Sequence, residues 1–168
     1  MPSRSSLEKA SYHHNPLDVI EDFIAAQEWP CQRVSHDELV MEAPGRWCDY
    51  QISFYWQEDL NVLQIYTALD FKITQDRLDE TVRLLDLVNQ RLAFGHFEMS
   101  DDNAAPAYRY AQLLTGQPHL KSVFLEELME YALSECERFY PAFQFTILGS
   151  KTAAEAVEIA LLDTLGEA

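Results

Sequence analysis

Glycine is scarce in this chain, and the 5 that occur are scattered. No GxGxxG or GxxxxGK run is present, which leaves out the dinucleotide and P-loop fingerprints. No GxSxG elbow marks a hydrolase nucleophile. Cysteine is scarce too: Cys31, Cys48 and Cys136 are an odd, widely spaced set that suits free, packed thiols in a reducing compartment. Basic residues number 12 against 28 acidic ones, a formal charge of −16. A protein that grips phosphate backbones needs a basic footprint, so neither nucleic acid nor an anionic membrane surface is an expected partner. No stretch reaches the ~18 apolar residues of a membrane span. The polar start, Met1 to His14, lacks the apolar centre of a signal peptide, so a cytoplasmic location is expected.

What is present is the composition of a folded domain. The 168 residues are 48% hydrophobic and 12% aromatic, enough to bury a sizeable single core. The acidity is explained by solubility, with attraction for basic partners as the functional alternative.

Residues 1–14 read as a flexible tail and 15–168 as one domain. Asn15-Pro16 is an N-cap followed by proline at the first helical position. Leu17, Ile20, Phe23 and Ile24 then predict a helix over about 16–28. Cys31–His36 and Glu38–Ala43 form a hairpin pattern, followed by alternating strands at Tyr50–Trp56 and Leu63–Leu69. Short connections make these four an antiparallel meander. At Thr74 the period changes to helical, with Leu78, Val82, Leu85, Val88 and Leu92 as the apolar stripe and Asp79/Arg83 as a spaced ion pair. Two further strands are predicted at Phe94–Ser100 and Ala107–Leu114. Pro118 opens a long helix that Tyr140-Pro141 should kink or interrupt. Phe143, Phe145 and Ile147 fit a strand by alternation, and Phe139, Phe143 and Ile147 fit a helix, the reading preferred. Gly149 ends that segment, and a Thr152/Glu155 capping box starts a last helix through about Leu165. The order is α-β-β-β-β-α-β-β-α-α.

Candidate sites are weak one by one. His96, Glu98, Asp101 and Asp102 could form a metal cluster, but no further ligand stands at a characteristic spacing, and an exposed strand and turn explains them. Cys31, His36 and Cys48 lack both a fourth zinc ligand and a positioned base. His13-His14 reads as part of a solvated tail. No catalytic residue, metal site or cofactor is therefore expected. Tyr108 and Tyr110 around Arg109 look like a base-stacking strand, yet the negative charge favours a cross-strand aromatic role. The stripe Tyr50, Ile52, Phe54, Trp56 reads as core. Tyr55 and Tyr66, on the partly polar faces of their strands, are candidates for a recognition or dimer surface. So are Tyr140, Phe143, Phe145, Val157 and Leu161, because the last two helices carry more apolar residues than one narrow stripe needs; completing the core is their ordinary role.

The strings Glu137-Arg138-Phe139-Tyr140-Pro141-Ala142-Phe143-Gln144-Phe145 and Gly149-Ser150-Lys151-Thr152-Ala153-Ala154-Glu155-Ala156, with the ending Asp163-Thr164-Leu165-Gly166-Glu167-Ala168, resemble the YbjN family, whose members are labelled bacterial sensory-transduction regulators. The resemblance covers roughly residues 16–168. It implies an α+β fold like that of type III secretion chaperones, a twisted antiparallel sheet flanked by helices and often dimeric, with no catalytic residue to carry over. The expected function is a non-catalytic, chaperone-like module that holds a partner polypeptide along a sheet edge or an apolar helix surface. The alternative is a regulator acting by transient protein contact in signalling or stress response.

Overall fold

The computed structural model describes residues 14–100, 105–115 and 120–165. Ten main elements run α1 (Pro16–Ala26), β1 (Cys31–Ser35), β2 (Glu38–Pro44), β3 (Asp49–Gln57), β4 (Val62–Ala68), α2 (Leu78–Asn89), β5 (His96–Met99), β6 (Pro106–Leu113), α3 (Ser122–Ile147) and α4 (Ala153–Leu165). This is the α+β order that the sequence predicts. The strands form one antiparallel sheet in the order β1-β2-β3-β4-β6-β5. The first four make the expected meander. After α2 the chain enters at the far edge as β5 and returns as β6 beside β4.

Local chemistry sets the helix ends. Asn15 accepts the Leu17 N–H through its side-chain oxygen at 3.0 Å, with Pro16 opening α1 behind it. Arg33 on β1 ties this helix to the sheet through Asp18 and Glu21, at 3.2 and 3.1 Å. The capping box of α4 is present: Thr152 N–H donates to the Glu155 carboxylate at 2.9 Å, and Thr152 Oγ1 receives the Glu155 N–H at 3.4 Å. Glu80 of α2 accepts a further N–H, that of Ala153, at 2.7 Å.

One sequence expectation changes, and one left open is decided. The stripe of α2 is rotated: Thr81, Leu84 and Val88 are buried while Val82 is 48% exposed. The helix packs against α4 and α3 as well as β5, so its buried face is set by three neighbours rather than by the sheet alone. Its Arg83 stands 3.8 Å from Glu80, one turn back. Pro141 lies inside a single helix, α3, and does not divide it. Proline lacks an N–H, which leaves the carbonyl of Glu137, four residues earlier, without its helical donor. The indole N–H of Trp47, on the β2–β3 loop, donates to that carbonyl at 3.2 Å. The Trp47 ring stacks parallel to Tyr140 at 5.9 Å, and the Glu137 carboxylate accepts the Arg46 N–H at 2.8 Å. The gap in the helix ladder is thus a docking point for the loop. Pro118 lies outside the described residues, as do residues 1–13.

The core lies between the sheet and the helices in two joined regions. Leu39, Met41, Ile52, Phe54, Trp56, Leu63 and Ile65 meet α1 and the first half of α3. Tyr50, Phe97 and Tyr108 meet α2, α4 and the second half of α3. Cross-strand Phe97 and Tyr108 pack edge to face at 5.5 Å, which is the aromatic role expected of Tyr108. Gly95 is required beside them: its φ is +69°, and a Cβ there would fall 2.2 Å from the Tyr108 hydroxyl.

Candidate partner-binding face

Side chains alternate across a strand, so the positions between those core residues point to the other side of the sheet. The register lines them up in cross-strand rows. One row runs Gln32, Val40, Ser53, Tyr66, Arg109, His96. Its neighbours are Glu42, Gln51, Ala68, Ala107, Glu98 and, on the other side, Glu38, Tyr55, Gln64, Ala111. A fourth, Gln57, Val62, Leu113, borders the β3–β4 turn.

The twisted sheet is hollowed on this side into a concavity of about 1130 Å³. Gln51, Ser53 and Tyr55 on β3, Gln64, Tyr66 and Ala68 on β4, Glu98 and Met99 on β5 and Arg109 on β6 are its strand-borne lining, and the segment Leu69–Lys72 with Ser100 and Ala105 completes it. No lining residue belongs to a helix. The described helices pack on the core residues of the opposite face, and Phe71, beyond the end of β4, reaches from the concavity to Tyr140 of α3.

The floor is polar and half sunk. Ser53 is 8% exposed and Gln64 9%, although no helix among the described residues lies over them. Gln64 Oε1 accepts the Arg109 Nε–H at 3.0 Å, and Arg109 Nη1 reaches Glu98 at 3.5 Å. His96 Nε2 lies 3.1 Å from the same Glu98 oxygen. Burial raises the Tyr66 phenol, which keeps its proton at neutral pH; a hydrogen bond with Ser100 opposes that shift and the Glu98 charge adds to it. At the rim, Asp70 accepts the Tyr140 hydroxyl at 2.8 Å, and Lys72 is exposed. The ensemble offers donors, acceptors and aromatic rings.

The residues singled out from sequence divide cleanly. Tyr55 and Tyr66 line the concavity together, on adjacent strands. Tyr140, Phe143 and Val157 are buried in the chain's own core: α4, which carries Val157, folds back along α3 and α2, and Tyr140 packs on Trp47 and Phe71. Leu161 is half-buried against that core, and Phe145, 36% exposed, stays on the outer side of α3. His96 and Glu98 do meet, whereas Asp101 and Asp102 lie outside the described residues. Among the described residues no group of three or more His, Cys, Asp or Glu side chains is placed to hold a metal ion. All three cysteines are free thiols. Burial first, and then the Asp70 charge, push the Cys48 thiol up to about 11, so it is protonated and weakly nucleophilic at neutral pH. Sequence reasoning missed Gln51, Ser53, Gln64 and Arg109. Their signal was present as the polar half of each alternating strand.

Among the described residues, the helices pack on one face of a single antiparallel sheet, which is an α+β architecture. The fold is similar to a chain in the crystal structure of the ExsC–ExsE complex, with a TM-score of 0.54 and 13% identity, covering 79% of this chain and 95% of that one. It is also similar to the crystal structure of YbjN from E. coli, with a TM-score of 0.50 and 10% identity, covering 72% and 85% of the two chains. At these identities the likeness is one of fold. The family model YbjN, described as "Putative bacterial sensory transduction regulator", matches residues 16–145, and the chain belongs to that family. Comparison with curated proteins found no match.

Proposed function

We propose that this protein is a non-catalytic, chaperone-like binding module that holds a partner polypeptide on the uncovered face of its sheet. The observation that carries this reading is the one-sided architecture. Strands β3, β4, β5 and β6 line a concave face with two tyrosines, sunken polar groups and, among the described residues, no helix over it. Concave surfaces with a few aromatic anchors among hydrogen-bonding groups suit polypeptide recognition. Membership of a family described as regulators supports the same general role, as does a fold shared with a chain of the ExsC–ExsE complex. The protein acts in the cytoplasm on this reading, and no helix among the described residues is long and apolar enough to cross a membrane. A homodimer joined through the outer helices, where Phe145 is exposed, would leave the concave face free.

The second reading is a regulator that makes only transient contacts, favoured by the family's description. Affinity capture from the source bacterium separates the two. A stable holder retains one polypeptide in stoichiometric amount, and Tyr55→Ala/Tyr66→Ala releases it. Capture of a folded regulator that exchanges within seconds would favour the transient reading. Capture unaffected by the tyrosine pair but lost in Phe145→Ala would move the site to the helices.

A further inference from the structure

We infer that the occupant of the concave face is an extended, basic segment of another protein, with two cations four residues apart facing Glu38 and Glu42. This rests on the polypeptide-holding reading above and adds the chemistry of the segment.

The β2 rim supplies the spacing. Glu38, Val40 and Glu42 are successive outward positions on β2, and their strand partners on β3 are Tyr55, Ser53 and Gln51, which line the concavity. Four residues of strand span about 13 Å. The acidic side chain of Glu98, across the sheet, is already answered by Arg109 and His96, and Asp70 by Tyr140. Glu38 and Glu42 have no cation within ion-pair distance among the described residues. An extended chain laid along β2 and β3 places side chains at the same repeat, so cations at positions i and i+4 meet the two glutamates. A small apolar residue at i+2 then meets Val40.

The floor supplies the rest. Ser53 makes no side-chain hydrogen bond among the described residues, and Gln64 uses its amide oxygen on Arg109, leaving its amide N–H groups to the concavity. These are donors suited to backbone carbonyls of an extended segment. Charge selects the sign of the occupant. A chain of formal charge −16 attracts basic segments at long range, and it disfavours a second copy of itself on this face, where Glu38 and Glu42 would oppose their equivalents.

The test uses the full-length, 15N-labelled protein and two capped ten-residue peptides, one built on Lys-Thr-Val-Thr-Lys and the other on Glu-Thr-Val-Thr-Glu. The lysine peptide is expected to shift amide signals of residues 51–55, 64–68 and 107–109, and the glutamate peptide to shift none of them. In Glu38→Lys/Glu42→Lys, checked for an intact spectrum, the lysine peptide weakens about tenfold, as expected when close charge pairs are reversed. Shifts mapping to the helices, equal response to both peptides, or no response to either would overturn the inference, and the peptide comparison on the unaltered protein stands even if the double variant misfolds. A cellular partner held by the wild type and equally by Glu38→Lys/Glu42→Lys would sink this inference while leaving the polypeptide-holding reading in place.

Discussion

The Trp47 indole occupies the bond that Pro141 cannot make, and this pairing is testable one residue at a time. Trp47→Phe keeps the stacking on Tyr140 but leaves the Glu137 carbonyl unpaired, at a cost of about 1–2 kcal/mol by urea denaturation. In a Pro141→Ala background the helix regains its own donor, so the same Trp47→Phe change should cost clearly less. Equal costs in both backgrounds would disprove the link. Glu135 makes a second residue-scale case. It is buried in α3, 3.3 Å from Arg138, and burial holds its carboxyl above the ordinary value of 4.5 while Arg138 pulls it down. The native state therefore binds this proton more tightly than the unfolded chain does. Its contribution to stability is full in acid and falls as pH rises through the raised value. Glu135→Gln should melt no lower than wild type at about pH 7.5 and lose any advantage at about pH 4, read by thermal denaturation. Single residues were legible where alternation alone decides. Tyr55 and Tyr66 point away from the core because their neighbours Phe54 and Ile65 point into it. Phe143 and Val157 were not, because their burial depends on α4 lying back across α3, a contact with no local signal.

Among the elements, those defined by caps and strict periods could be read directly. Asn15-Pro16 opens α1, the Thr152/Glu155 box opens α4, and the meander follows from alternation with short turns. Thr152→Ala should cost about 1 kcal/mol and fray the start of α4, seen as faster amide exchange over residues 153–157. An unchanged stability would mean that Glu80, which also caps this end, carries the load alone. The element misjudged was one whose neighbours outvote its own sequence. The stripe of α2 turned because α4 shares its buried face, so Val82 is exposed and Thr81 enclosed. Pro141 left a kink and a break equally open in the sequence; α3 runs through it, with a loop 90 residues before Glu137 supplying the missing donor. At the far end, Arg77 bonds the carbonyls of Thr146 and Lys151, closing α3 and steering the turn into α4.

For the whole molecule, the order of elements came from sequence, but the uncovered face did not. A strand pattern says which side of each strand is apolar, not whether a second layer will cover the polar side. Here the four described helices share one side, and the twisted sheet is hollowed on the other. Antiparallel sheets often leave one face to water. Beside the charged Glu38, Glu42 and Lys72, this one carries sunken Ser53 and Gln64, an Arg109 held in place by Gln64 and Glu98, and two tyrosines. The central claim is that a partner polypeptide lies on that face. Its most direct test is a photo-reactive phenylalanine analogue introduced in the source bacterium at position 55 or 66, on the concave face, and at position 82, exposed on α2. Irradiation is expected to join one polypeptide to the protein from positions 55 and 66 and nothing from 82. Adducts from position 82, with none from 55 or 66, would contradict the account.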